Sequence, residues 1–404
     1  MQLLDDEADL VTRYLELGLA LGRHVDGLVD AYFGPAPVAE RVAAQAAVAP
    51  ALLAEVSRRL LADLEADRGL DPSRRHWVVA QVRGLHTTAR RLSGAPIGYA
   101  DEVEACYGVR PAMVPEDALV ETHRRLDAVL PGTGPLGERY GDWREGQAVP
   151  PARLEAAVAS LADDLRERTQ RCFGLPEGEQ VDFELVTDKP WAGFNTYLGG
   201  LRSRVAVNVD LPVLSPTLAH LVAHEAYPGH HTEHCRKEVG LVRGRRWLEE
   251  TIFLVGTPQC LIAEGLADLG LEVVVSPDPA QVAIMAAAHL RPLGIPFDAE
   301  VVATVAAAGE GLQGVRGNVA LLLHEHGASA DEAVAYAERW ALLPRRRAEK
   351  LVSFLTDATW RAYVTCYVEG LPLCRRFVAG SPARFQRLLT EQLTPDQLAP
   401  PGAS

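Results

Sequence analysis

The sequence predicts a mainly α-helical fold with a small β element that directly precedes a histidine-rich segment. Apolar residues recur at three- and four-residue spacing over most of the chain, which is the period of an amphipathic helix. Only two short stretches alternate apolar and polar residues in the manner of a strand. With 404 residues and 48% hydrophobic composition, the chain can bury a large core in one or two domains.

Residues 1–175 are predicted to form an N-terminal helical region. Helical periodicity marks five segments of this region, at 2–22, 50–66, 73–93, 115–130 and 151–173. The connections between them, such as "YFGPAP" and "LPGTGPLGERYGDW", are rich in the Gly and Pro residues that turns require. The region is therefore expected to be a layer of packed helices.

Residues 176–395 form the second predicted region, and it begins with the two alternating stretches. "VDFELV" occupies 181–186 and "RVAVNVD" occupies 204–210. Helical periodicity resumes at Ser215, a suitable N-cap, with Pro216 at the first helical position. We expect the two regions to form one continuous unit.

Charge and composition narrow the classes of partner. The chain has 40 basic and 54 acidic side chains, and its net charge of −14 argues against nucleic acid and anionic membranes as partners. The N-terminus lacks the basic and apolar regions of a signal peptide, and no apolar run is long enough to span a bilayer. The six cysteines form no C-x-x-C pair and are expected to be reduced. These features predict a cytoplasmic protein.

The segment "LAHLVAHEAYPGHHTEH", residues 218–234, suggests a metal site. In zinc hydrolases with the H-E-x-x-H motif, two histidines one helical turn apart bind the metal and the Glu takes a proton from bound water. His224 and Glu225 match the first two positions, but the second histidine position holds Pro228. The motif therefore needs an interruption of the helix before it can supply a second ligand.

Pro228 and Gly229 provide that interruption, since proline removes a helical amide and glycine relaxes the backbone. On an undistorted helix His231 would share a face with His224, but about 10.5 Å further along the axis, which is a long reach for one ion. If the interruption absorbs two extra residues, His230 takes the place of the second ligand. The pattern favours His230 and leaves His231 as its rival.

A third ligand must come from another part of the chain, and Glu264 in "CLIAEGLADLG" is the best candidate. A carboxylate in an apolar helical run needs a partner, which a metal would supply. Asp268, one turn later, is placed to orient a ligand histidine. Two i, i+4 pairs give rival ligand sets: His220 with His224, and His230 with His234.

These residues resemble a known family. "HEAYPGHH" and "AEGLADLG" are similar to the H-E-x-x-P-G-H-H signature and the downstream E-G-x-A segment of the bacterial domain of unknown function eight-eight-five. "VDAYFGP", "YLGGLRSRVAVNVDLP" and "WRAYVTCYVEG" also resemble its recurring segments, so the resemblance extends over most of the chain. Members are regarded as gluzincin-like zinc metallopeptidases, which implies a multi-helix, zincin-like architecture.

The resemblance also implies roles for individual residues. It implies a Zn²⁺ site with ligands drawn from four residues: His224, His230, His231 and Glu264. Glu225 would be the general base. The sequence departs from the family where Leu266 stands in place of the tryptophan of many relatives, and this bears on the shape of the nearby pocket.

Two further features agree with a peptidase. Tyr363 and Tyr367 are four residues apart, so one helix face can present two phenols that donate hydrogen bonds to a developing oxyanion. "RVAVNVD" precedes the metal helix, where a sheet edge could bind an extended peptide. The sequence thus predicts a zinc-dependent hydrolase that acts on a peptide or small amide. The alternatives are a non-peptide amide hydrolase with the same site, and a non-enzymatic helical scaffold with a structural metal.

Overall fold

A computed structural model describes residues 9–189, 191–357 and 359–399, and it confirms a mainly α-helical fold. The first elements are α1 (Leu10–Gly22), β1 (Val29–Tyr32), α2 (Ala36–Ala44), α3 (Pro50–Ala66), α4 (Pro72–Leu92), α5 (Tyr99–Tyr107), α6 (Glu116–Val129), α7 (Leu136–Glu145) and α8 (Pro151–Phe173). The next are β2 (Gln180–Val186), β3 (Gly193–Gly199), β4 (Arg202–Asn208), α9 (Ser215–Glu225), α10 (His230–Lys237), β5 (Ile252–Leu254) and α11 (Pro258–Val274). The last are α12 (Pro279–Leu290), α13 (Ala299–Gly309), α14 (Val315–His324), α15 (Ala330–Trp340), α16 (Arg345–Thr356), α17 (Val364–Val378), α18 (Pro382–Thr390) and α19 (Pro395–Leu398).

The helices predicted from periodicity are confirmed at α3, α4, α6 and α8, each within two residues of its expected ends. The start of the first predicted helix, residues 2–8, lies outside the described residues. Local capping explains where α1 begins, because the Asp9 side chain accepts hydrogen bonds from the amides of Val11 and Thr12. The expected N-cap of α9 was wrong by one residue: Leu214 occupies the cap and Ser215 is the first helical residue.

The β structure is more extensive than the two predicted strands. A three-stranded sheet has the order β2-β4-β3, in which β4 is parallel to β2 and antiparallel to β3. A two-stranded sheet pairs β1 with β5. The strand at 204–210 was expected to offer a sheet edge, but β4 is the central strand, and the terminal strands of this sheet are β2 and β3.

Two large apolar clusters hold these elements together. The larger joins side chains from both sides of residue 175, including Leu161 on α8 and Leu266 on α11. The second packs α1, α3 and α4 around Ile252 and Leu254 of β5. Strand β5 therefore links the first helices of the chain to the segment that carries the histidines.

Helices α11 and α17 approach closely through a pair of glycines. A Cβ on Gly265 would lie 2.3 Å from the carbonyl oxygen of Gly370, and one on Gly370 would lie 2.7 Å from that of Leu261. Neither contact leaves room for a side chain. The close approach of the two helices therefore explains why a glycine, Gly265, follows Glu264 in the sequence. The contact brings the start of α17, with Tyr363, close to the middle of α11.

Among the described residues, no helix is both long enough and apolar enough to cross a membrane.

Candidate metal centre

The helix that carries the histidines is interrupted between α9 and α10. Helix α9 ends at Glu225 and α10 begins at His230. The amide of Gly229 donates to the carbonyl of Ala223 (2.9 Å), and the amide of Thr232 donates to that of Ala226 (3.2 Å). Each bond spans six residues where a helix spans four. The interruption thus absorbs two extra residues, as the sequence suggested.

Gly229 is needed in this interruption because the chain folds tightly over the end of α9. A Cβ at this position would lie 1.8 Å from the carbonyl oxygen of His224. Pro228 rests on α11, where a Cβ on Gly270 would lie 2.9 Å from its ring. Glycines on both sides of the contact therefore allow the interrupted segment to pack directly on α11.

The structure brings His224, His230 and Glu264 together. The two histidine Nε2 atoms are 3.1 Å apart. Glu264 Oε2 lies 3.3 Å from His224 Nε2, and Glu264 Oε1 lies 3.4 Å from His230 Nε2. Zinc bonds of about 2.0 to 2.1 Å in a tetrahedral arrangement separate ligand atoms by about 3.3 to 3.4 Å. Each histidine nitrogen lies near this separation from one carboxylate oxygen, so the three side chains could hold one metal ion.

Glu264 lies in a place where a carboxylate needs such a partner. Its side chain is 5% exposed, and its Oε2 atom is buried without a hydrogen-bond donor among the described residues. Burial alone would raise the pKa of Glu264, but His224 and His230 outweigh burial and hold that pKa at about 2. The two histidines therefore favour the ionised form of this carboxylate.

Asp268 orients one of these histidines. Its Oδ1 atom lies 2.8 Å from His224 Nδ1, which leaves Nε2 directed towards Glu264 and His230. His220 Nε2 lies 3.4 Å from the same oxygen, at the exposed end of the cluster. Asp268 thus has the orienting position that the sequence predicted for it. His220, His224 and Asp268 form a second group of neighbouring ligand atoms.

His231 does not join the group. Its ring is fully buried, with Nδ1 at 2.8 Å from Ser203 Oγ and Nε2 at 2.8 Å from Glu179 Oε2. Both ring nitrogens are therefore occupied by partners on the sheet side of α10. The structure corrects the rival assignment: His231 anchors the helix while its neighbour His230 faces the cluster.

The rival pair of His230 with His234 is also not supported. The ring of His234 stacks on Tyr197 with centroids 4.7 Å apart and contacts Phe253 edge-on at 5.4 Å. Burial lowers the pKa of His234 well below its usual value, so the imidazole is neutral. It lines the pocket beside the cluster but does not belong to a ligand group of the described residues.

Glu225 lies beside the cluster and lines the same pocket. Its backbone carbonyl accepts a hydrogen bond of 2.6 Å from Asn195 Nδ2 on β3, and a Cβ on Gly193 would lie 2.8 Å from its Oε1 atom. Burial raises the pKa of Glu225 above its usual value, against the opposing charges of His224 and His230. Strand β3 therefore sets where this carboxylate lies.

The two tyrosines have different environments. The Tyr363 hydroxyl donates a 2.6 Å hydrogen bond to Glu264 Oε1, so this phenol holds a candidate ligand in place. Tyr363 is the N-cap of α17 rather than a residue of one continuous helix with Tyr367. The Tyr367 ring lies against Tyr363 and under the Arg316 guanidinium, and it lines the pocket. Tyr367 thus lines the pocket, and no hydrogen bond to a candidate ligand holds it among the described residues.

The pocket over the cluster includes residues that sequence reasoning missed. Asp30 on β1 and Asn195 on β3 both line it. Much of the remaining wall is aromatic, formed by Trp191, Phe194, Phe253, Phe354, Trp360, Tyr363 and Tyr367. The signal for Asp30 in the sequence is the segment "VDAYFGP", which resembles a recurring segment of the family but by itself assigns no role to its acidic residue.

No protein-family model matches the sequence, and no curated protein matches it. A crystal structure from Colwellia psychrerythraea, of a protein provisionally described as a lipoprotein, has a TM-score of 0.52 and 15% identity over 86% of this chain and 65% of that one. A protein of unknown function from Shewanella oneidensis, also provisionally described as a lipoprotein, has a TM-score of 0.47 and 13% identity over 90% of this chain and 75% of that one. The chain shares a fold with the Colwellia protein and spans 65% of its length.

Proposed function

We propose that this chain is a zinc-dependent hydrolase, and specifically a metallopeptidase. The observation that carries the proposal is the spacing of three side chains: the Nε2 atoms of His224 and His230 are 3.1 Å apart, and each lies 3.3 to 3.4 Å from one of the two Glu264 carboxylate oxygens. That spacing suits a zinc ion, and the three side chains leave one tetrahedral position open. All three residues line the pocket, which supports a site with an exchangeable position rather than a closed structural one.

The side chains around the cluster have the chemistry that hydrolysis needs. Zinc, when bound, would lower the pKa of a coordinated water towards about 7 and polarise a substrate carbonyl. Glu225 would accept the proton of the attacking water and pass it to the leaving amine. Its burial, which raises its pKa, suits a group that must bind and release a proton. The Tyr367 hydroxyl would donate a hydrogen bond to the carbonyl oxygen as negative charge develops there.

Strand β3 supports a peptide as the substrate. It is the terminal strand of its sheet, and Gly193, Phe194 and Asn195 line the pocket. An extended peptide can add to such an edge through main-chain hydrogen bonds, which would place its scissile bond beside Glu225. A non-peptide amide hydrolase would use the same catalytic groups without this edge and is the second candidate.

Metal content and hydrolysis test the proposal together. Purified protein should contain about one zinc per chain, and His224→Ala and Glu264→Ala should lose it, as measured by elemental analysis. Glu225→Gln keeps the shape of the side chain and should keep the zinc, while hydrolysis of a peptide library falls by about 10² to 10⁴. Zinc retention by both Ala variants would exclude the ligand assignment. A Glu225→Gln protein that holds zinc and cleaves as fast as the wild type would favour a structural metal in a non-enzymatic scaffold.

Membership of the domain of unknown function eight-eight-five remains part of this proposal, carried by "HEAYPGHH" and "AEGLADLG".

A cytoplasmic location is proposed on the state of the cysteines, since all six are free and five are buried. Thiols in this state suit a reducing compartment. Cell fractionation with an antibody against the chain would test the location, and recovery from the membrane or periplasmic fraction would contradict it.

A further inference from the structure

Asp30 occupies an irregular position in strand β1. Val29 pairs with Leu254 and Ala31 pairs with Phe253, so Asp30 is an extra residue without a partner on β5. A bulge of this kind turns a side chain away from its regular direction, and bulges are frequent beside active sites. Asp30 lines the pocket that contains the candidate ligands.

The Asp30 carboxylate has no donor of its own in the described part of the chain. Burial raises its pKa to about 7, and the nearby Glu264 and Glu225 add to this effect while His230 opposes it. Asp30 is half-buried, and a carboxylate that loses part of its hydration costs free energy unless a cation or a donor compensates it. The pocket thus contains an acceptor that a bound ligand could satisfy.

Asn195 provides a second such acceptor. The residue is 6% exposed, and its Nδ2 atom donates to the carbonyl of Glu225. That bond fixes the orientation of the amide, because only the nitrogen can donate. Its Oδ1 atom is buried without a donor among the described residues. Both unsatisfied groups of the pocket can therefore accept hydrogen bonds and cannot donate them.

The surroundings favour a positive charge. Trp191 stacks on Phe194 with ring centroids 5.2 Å apart, and Trp360 stacks on Phe354 at 5.9 Å, so indole rings border the pocket. Cations are attracted to the faces of such rings. Asp30 joins Glu225 and Glu264 in the pocket, so its lining carries three acidic side chains.

We propose that Asp30 and Asn195 bind a primary ammonium group of the substrate, so that the site acts on peptides or small amides that carry a free amine. This inference rests on the proposed function, because it names the substrate class of the same site. The amine is either the α-amino group beside the scissile bond or the end of a basic side chain. Both present three N–H donors and one positive charge, which the two acceptors and the aromatic wall complement.

The test measures binding to the zinc-loaded protein by calorimetry. Phenylalanine hydroxamate has a free α-amine and a metal-binding group, and its N-acetyl form lacks the amine. The wild type should bind the free amine about 10- to 100-fold more tightly, the range expected for hydrogen bonds to a charged group. In Asp30→Asn that preference should vanish, while affinity for the acetylated compound stays unchanged. Lysine hydroxamate acetylated on its α-amine keeps a free side-chain amine. If it binds better than N-acetyl-phenylalanine hydroxamate, the ammonium group that the site recognises is that of a basic side chain.

Asp26→Asn is the matched control, since Asp26 is exposed and precedes the same strand. It should keep the wild-type preference. Equal wild-type affinities for all three hydroxamates, or a preference that survives in Asp30→Asn, would overturn the ammonium site. A failure of the proposed metal site would give a different result from a failure of the ammonium site. Without the metal site, the hydroxamates would bind His224→Ala as tightly as they bind the wild type. Phenylalaninamide and N-acetyl-phenylalaninamide, which lack the metal-binding group, test the ammonium site even in that case.

Discussion

Replacing Gly193 with alanine tests the proposed general base without changing any charge. A Cβ at position 193 would lie 2.8 Å from Glu225 Oε1, whereas ordinary contact begins near 3.4 Å, so the carboxylate must move by roughly 0.6 Å. The atom that must move is the end of a flexible side chain, and we therefore expect the free energy of unfolding to change by less than about 1 kcal/mol. Misplacement of a reacting group by about 1 Å can cost about 10²-fold in rate.

We therefore expect Gly193→Ala to lower kcat by about 10- to 100-fold while zinc content stays at the wild-type level. The assay is steady-state hydrolysis of the peptide that the wild type cleaves best, with elemental analysis of the same samples. Gly141→Ala is the control, since a Cβ on Gly141 meets no atom within 4 Å. An unchanged kcat in Gly193→Ala would refute the idea that strand β3 positions Glu225 for proton transfer.

Three further predictions concern zinc affinity and stability. Asp268→Asn should weaken zinc binding by about 10- to 100-fold in a chelator competition assay, because His224 loses the carboxylate that orients it; an unchanged affinity would contradict that role. His231→Ala should retain zinc yet lower the free energy of unfolding in urea by about 2 kcal/mol, because Glu179 loses a buried partner; zinc loss without loss of stability would make His231 a ligand. Burial raises the pKa of Glu250 to about 7, so its protonated form stabilises the fold below about pH 4.5 and this stabilisation is lost as pH rises to about 7. The free energy of unfolding should therefore fall by about 3 kcal/mol between pH 4.5 and 8, as measured by urea unfolding. Glu250→Gln should reduce this fall, and an unaltered pH dependence would exclude Glu250 as its source.

The helical part of the fold could be predicted because helical periodicity is a local signal. Segments such as α3 and α8 bury one face along their whole length, and their apolar residues repeat accordingly. Strands β1 and β5 have four and three residues, which is too short for alternation to show. Strand β3 is bordered by glycines, which lack strand propensity. These strands are stabilised by hydrogen bonds to partner strands, and the local sequence does not show which segments pair.

The residues of the candidate site also fall into two groups, those with a local signal in the sequence and those placed by tertiary contacts. His224 and Glu225 follow from a motif, and Glu264 follows from a charge in an apolar helix. The sequence could not decide between His230 and His231, because the direction of each ring depends on hydrogen bonds across the interruption. Asp30 reaches the pocket through a bulge in a sheet that pairs residues more than two hundred positions apart. Contacts of this kind depend on tertiary structure and leave no local pattern.

The anchoring of His231 to Glu179 and Ser203 fixes the kind of ligand atom that the cluster offers to an ion. Helix α10 is held on its sheet side by these bonds, and His230 keeps its Nε2 atom 3.1 Å from that of His224. Imidazole nitrogens suit zinc, whereas calcium takes six to eight oxygen ligands. Selection against calcium would then be maintained from the far side of the helix, through residues that never touch the metal.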